Sequence, residues 1–233
     1  MTQRDDVDIV PILARLTGDA GRHARFLNTL SLLEYIGVRK ILKSQPAEGL
    51  SAEMLEHILE EARHAYVLKR LALRVGGESV ATYAAPALLC GEEARRYIQT
   101  LDRSAEIDLK ESRDSASGAA ATGGAVPAGG VSPASGSASV NYLYTTLLIE
   151  ERAGAVYPLY EPLLARVGLG GVLAGIIREE EGHLSAVMRR VMDEDPGHAP
   201  RLERLRRAER RAYAAFVAAL DRESAPAARP AST

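Results

Sequence analysis

Apolar residues along this chain recur at steps of three and four, the spacing that lines one face of an α-helix. Residues 6–16 predict a short helix that stops near Gly18. From about Ala20 to Leu42, the positions Leu27, Leu30, Val38 and Ile41 form a stripe, with Glu34 in its middle. Pro46 and Gly49 close that helix, and Ser51 opens the next as its N-cap. The second long helix runs to Gly76-Gly77, and its stripe includes Met54, Ile58, Glu61, His64, Ala65, Leu68 and Leu71. Beyond a connection through Pro86, residues 91–109 predict an amphipathic helix with Tyr97, Leu101 and Ile107 as packing residues and its charges in solvent. A third long helix, from about Val140 to Val167, carries Leu143, Leu147, Glu150, Tyr157 and Leu164, with Pro158 and Pro162 expected to bend or break its end. The fourth shows Leu173, Ile176, Glu180, His183, Val187 and Val191 on one face, and a stop at Asp195-Pro196-Gly197 leads to a last helix over about 199–221.

Composition agrees with an all-α fold. Of 233 residues, 46% are apolar, Trp is absent and only two are Phe, which suits packed helices better than a β-sandwich. The stretch 112–139 is almost wholly Ala, Gly, Ser, Thr and Pro, too poor in apolar surface to offset its ordering entropy, and reads as a flexible linker. The expected organisation is an N-terminal extension (1–19), a four-helix bundle (20–193) interrupted by a long crossover (78–139), a C-terminal helix (194–222) and a tail of disorder-like composition (223–233).

Charge and cysteine usage narrow the chemistry. A net charge of −2 gives no global reason to expect nucleic acid. The arginine run Arg201, Arg204, Arg206, Arg207, Arg210 and Arg211 is interrupted by Glu203 and Glu209 and reads as a solvated helix face. Cys90 is the only cysteine, which excludes an intramolecular disulfide and any metal site built from several thiolates of one chain. Asp5, Asp6 and Asp8 precede a short apolar run, so no secretory leader or membrane span is expected and the default location is cytoplasmic.

The chemically informative residues are those that interrupt the apolar stripes. Residues three apart share a helix face, so Glu61 with His64, and Glu180 with His183, can each grip an ion from one helix. Each pair follows a helix carrying a glutamate within its stripe, Glu34 in the first case and Glu150 in the second. Unpaired carboxylates in an apolar core would repel one another or protonate, whereas four carboxylates balance two divalent ions. Carboxylate and imidazole donors suit iron, with manganese possible. The spacing fits the first hairpin: Glu34 to Pro46 and Gly49 to Glu61 each climb about 18 Å. In the second hairpin, Glu150 to Gly168 climbs about 27 Å against about 18 Å from Gly168 to Glu180, so Glu151 or even Glu161 stands as an alternative to Glu150. His57, one turn before Glu61, reads as a neighbour of the site or a surface residue, and Glu60, Glu179 and Glu181 as solvated. Tyr35 and Tyr157 lie close in helical spacing, and Gly37 and Gly154 either leave room for a small molecule or permit close packing.

Glu34, Glu61-Ala-Arg-His64, Glu150 and Glu180-Glu-Gly-His183 together resemble the di-iron carboxylate signature of the ferritin-like superfamily, a Glu from each of two helices and Glu-x-x-His from each of the other two. The likeness covers roughly residues 20–193, with 78–139 in the slot of the superfamily's long crossover. Leu148-Ile149-Glu150-Glu151-Arg152 faintly resembles the third-helix motif of its tRNA-hydroxylating branch, and Tyr157-Pro158 is similar to rubrerythrins. The resemblance implies two iron ions, with Glu34 and Glu150 as terminal ligands, Glu61 and Glu180 as bridges, and His64 and His183 capping opposite sides. It further implies oxidation of a small organic substrate with dioxygen or peroxide and an external electron donor. The alternatives are a ferroxidase or iron-handling protein taking ferrous iron, with a homo-oligomer possible, and a non-enzymatic helical interaction protein.

Overall fold

The computed structural model describes residues 7–44, 48, 50–120 and 133–225. Among these, seven helices account for the architecture: α1 (Val10–Thr17), α2 (Ala20–Ser44), α3 (Ala52–Gly76), α4 (Gly91–Ala120), α5 (Pro133–Arg166), α6 (Leu173–Glu194) and α7 (His198–Ser224). No strand occurs among the described residues, and short 3₁₀ turns sit at Gly77–Val80 and Ala85–Ala87.

Local chemistry sets several of the boundaries. Ser51 Oγ accepts from the Met54 amide at 3.1 Å, and Gly77, at φ 56°, takes the left-handed conformation that ends α3. Four long helices form the bundle: α2 packs on α3, α5 on α6, and the two hairpins meet through α2 with α5 and α3 with α6. Helix α4 packs against α7 and α5, and α1 lies against α2, α5 and α7. Leu27, Leu68, Leu143, Leu147, Leu164 and Leu173 have no exposed surface. Each such side chain contributes about 1.5–3 kcal/mol through removal from water. Buried polar residues of α2 fasten the connection after α3: Asn28 donates to the Thr82 and Ala87 carbonyls at 2.8 Å each, and Thr29 to that of Leu89 at 2.8 Å.

Several expectations need correction. Ile107 is 55% exposed rather than packed. Helix α5 is not broken at its prolines. Pro158 and Pro162 lie four apart on its exposed side, so the carbonyls they leave without amide partners face outward. The expected linker 112–139 is helical at both described ends, through Ala120 and from Pro133; residues 121–132 lie outside the described residues, as do 226–233 of the expected tail. The arginine run is not simply solvated. Arg201 is buried and pairs with Asp108, at 2.8 Å, and with Asp195, while Arg204 also reaches Asp108, at 2.6 Å, and Arg206 pairs with Glu151. These ion pairs tie α7 to α4 and α5. No described helix is long and apolar enough to cross a membrane.

Candidate metal centre

The glutamates that interrupt the stripes converge inside the bundle. Glu34 of α2, Glu61 and His64 of α3, Glu150 of α5, and Glu180 and His183 of α6 are all buried, none more than 8% exposed. Their donor atoms, with that of His57, gather in two groups within 4.8 Å: Glu34, Glu61, His64 and Glu180 in one, and His57, Glu61, Glu150 and His183 in the other. Glu61 belongs to both. Glu180 also spans both, its oxygens lying 3.1 Å from His64 Nδ1 and 3.5 Å from His183 Nδ1.

The second hairpin reaches this arrangement despite its unequal arms. After Arg166 the chain doubles back along the last turn of α5, with the Leu169 amide bonded to the Leu164 carbonyl at 2.9 Å. The Glu161 carboxylate accepts from the Gly171 amide and, at 3.0 Å, from that of Leu173, so α6 begins level with Glu161 and not with the end of α5. Glu161 therefore caps α6, Glu151 turns outward to Arg206, and Glu150 faces the cluster.

His64 and His183 each have one nitrogen in the cluster and the other fixed outside it. Glu179 Oε2 lies 2.7 Å from His64 Nε2, and Glu60 Oε2 lies 2.7 Å from His183 Nε2. Carboxylates accept, so both imidazoles donate from Nε2 and leave Nδ1 to the cluster, an arrangement that orients metal-ligating histidines. The pairing is crossed: α6 holds the histidine of α3, and α3 that of α6. Glu60 and Glu179 are thus not merely solvated. Their only sequence signal is that each immediately precedes a cluster glutamate.

Protons partly stand in for cations here. Burial, then the charges of Glu61 and Glu180, push Glu34 well above the usual carboxylate range, and burial and Glu180 do the same to Glu150. Burial works against charge on His64, but Glu180, Glu34 and Glu179 outweigh it and raise its pKa to about 9. Burial opposes ionisation of Glu180 too, yet the adjacent Glu150, His183 and His64 draw its pKa down.

A metal ion fits this donor set. His57 Nε2, Glu61 Oε1, His64 Nδ1, Glu180 Oε2 and His183 Nδ1 are buried without a hydrogen-bond partner, all directed into the cluster. Ion-pair separations there run from 3.1 Å to 4.0 Å. Two ligands on opposite sides of one ion at about 2.1 Å lie about 4.2 Å apart, so the spread suits donors sharing an ion. A void of about 20 Å³ bordered by Gly37, His57, Glu61 and Glu150 provides room. Gly37 is there because a Cβ would come within 3.0 Å of Glu61 Oε2, whereas Gly154 borders open space.

Two larger cavities flank the centre. On the carboxylate side, one of about 80 Å³ is walled by residues such as Leu30, Ile98, Val156 and Phe216 and floored by Glu34 and Glu180. Arg152 and Tyr97 sit at its wall, and behind them Glu209 accepts from Arg152 in bidentate fashion at 2.9 and 2.8 Å and from Tyr97 at 2.9 Å. Glu209, expected on a solvated helix face, is only 5% exposed. On the histidine side, a polar cleft of about 450 Å³ is bordered by Glu53, Glu56, His57, Glu60 and His183. Tyr157 is buried and its hydroxyl donates to Glu34, whereas Tyr35 is 43% exposed and stacks on Tyr83 away from the site.

Comparison with protein-family models, curated proteins and solved structures finds no match to this chain. The geometry alone defines its class: an all-helical bundle whose core holds buried carboxylate and imidazole groups able to bind a metal ion.

Proposed function

We propose that this chain is a ferritin-like di-metal protein. It would hold two divalent ions, iron first and manganese second, and use them to oxidise a small organic substrate with dioxygen or peroxide. The observation that carries the proposal is the set of five buried donor atoms left without hydrogen bonds and facing one another. Glu34 and Glu150 would be terminal ligands, Glu61 and Glu180 shared ones, and His64 and His183 would cap opposite sides, with His57 added on the side of Glu150. When bound, the metal pair supplies the electrons and Lewis acidity for the chemistry with oxygen.

The chain's own residues prepare the site for that task. Glu60 and Glu179 hold the imidazoles in one orientation, and the Tyr157 hydroxyl keeps a proton at Glu34 Oε1 and restricts that carboxylate. The mostly apolar lining of the cavity on the carboxylate side suits a small, weakly polar substrate.

Counting metal in protein from iron-replete cells tests the core of this reading. About two ions per chain are expected, with loss in Glu61→Ala and His183→Ala; less than about one, unchanged by those substitutions, favours a helical interaction protein instead. The acid-bordered cleft reaching His57 and His183 favours a second reading, a ferroxidase fed with ferrous iron. Oxygen uptake separates the two. Consumption that stops once added iron is oxidised marks a ferroxidase, whereas sustained uptake needing a reductant and an organic substrate marks an oxidase or oxygenase.

A further inference from the structure

The two donor groups are unequal. As tight groups one combines three carboxylates with one imidazole and the other two carboxylates with two imidazoles, and sharing Glu180, 3.5 Å from His183 Nδ1, leaves the second still one imidazole richer. The difference is His57, one turn before Glu61 on α3; the matching position before Glu180 on α6 is Ile176, buried and without a donor. Resting on the reading that the cluster holds two divalent ions, we infer that the chain sorts metals between them. The position formed by His57, Glu61, Glu150 and His183 selects an ion that favours nitrogen donors, such as iron, and the position formed by Glu34, Glu61, His64 and Glu180 accepts a harder ion, such as manganese.

Three observations support the assignment. The His57 and His183 rings lie 4.1 Å apart, which could be packing alone, but a packing histidine would satisfy its buried nitrogen, and His57 Nε2 is buried without a partner. It lies 3.4 Å from Glu61 Oε1 and 3.7 Å from Glu150 Oε1, beside the void of about 20 Å³. Lys40 also borders that void, but its ammonium is tied to Asp102 of α4. Second, the surroundings of the positions differ. The His57 position reaches the polar cleft through His57 and His183, while Glu34 and Glu180 of the other line the apolar cavity, as Glu61 and Glu150 also do, with Glu34 tethered by Tyr157. Third, imidazole donors rank iron above manganese, so the position with two imidazoles discriminates more strongly than the one with a single imidazole, His64.

Full-length protein stripped by chelation and reloaded anaerobically with equimolar ferrous and manganous ions tests this, with anomalous diffraction recorded at both metal edges. The expected iron-to-manganese ratio at the His57 position exceeds that at the other by at least about tenfold, since even the partner that orients a ligand is worth about 10–100-fold in affinity. His57→Leu, and the better-matched His57→Gln should the first fail to fold, are expected to bring the two ratios within about threefold. Equal ratios in the unaltered chain, or sorting that survives His57→Leu, overturn the inference while leaving the di-metal reading intact. Absence of metal from both positions overturns both.

Discussion

At the scale of single residues, the centre stores protons where the metal reading places cations. Burial and the neighbouring carboxylates push Glu34 and Glu150 toward their protonated forms, and His64, with its pKa raised to about 9, is charged at neutral pH. Metal ligation requires the opposite forms, so loading at pH 7 should release protons, and affinity should fall as pH falls. The contribution of His64 should fade above about pH 9. Titration calorimetry in buffers of different ionisation enthalpy measures the release directly; an apparent enthalpy independent of buffer would contradict it. A second expectation concerns the carboxylates behind the imidazoles. Glu60→Ala or Glu179→Ala should weaken metal binding by about 10–100-fold. Circular dichroism should stay unchanged, because both side chains are partly exposed.

At the scale of elements, the helices and the inward residues were legible because both follow the period of 3.6. Glu34, Glu61, Glu150 and Glu180 stand where an apolar residue belongs, and Glu34 and Glu180 have aliphatic neighbours on either side along their stripes, Leu30 and Val38 in α2 and Ile176 and Val187 in α6. Glu60, Glu179 and Glu209 were not legible. A residue beside a stripe lies about 100° around the helix, and whether it meets solvent or a neighbouring helix depends on how helices cross, which one helix's sequence does not record. His57 is hard to read from sequence for a related reason: its partners Glu150 and His183 lie on other helices. The choice between Glu150 and Glu151 turned on the doubled-back connection that Glu161 caps. Glu161→Ala should therefore cost on the order of 1 kcal/mol, the scale of a lost helix cap, and should loosen α6 and with it Glu180 and His183. Denaturant melts together with metal counts check this; an unchanged midpoint would mean that the cap is dispensable.

At the scale of the molecule, the site works against the bundle that carries it. Four carboxylates share one apolar interior, and without cations they are a source of instability. Replacing one by an apolar residue of similar size, as in Glu150→Leu, should stabilise the metal-free protein by about 1–3 kcal/mol while abolishing metal binding at its position. The same substitution should narrow the gap in melting temperature between metal-free and metal-loaded protein. A metal-free Glu150→Leu protein that melts below the unaltered chain would show that the carboxylates are satisfied by other means.

The crossed pairing of Glu60 with His183 and Glu179 with His64 has a consequence for how the molecule could be divided. Each hairpin carries a histidine whose orientation is supplied by the other, so a half made of α2 and α3, or of α5 and α6, holds ligands without the means to aim them. Severed between the hairpins and produced as two polypeptides, the chain should bind metal weakly in either fragment and regain full occupancy only when the fragments reassociate.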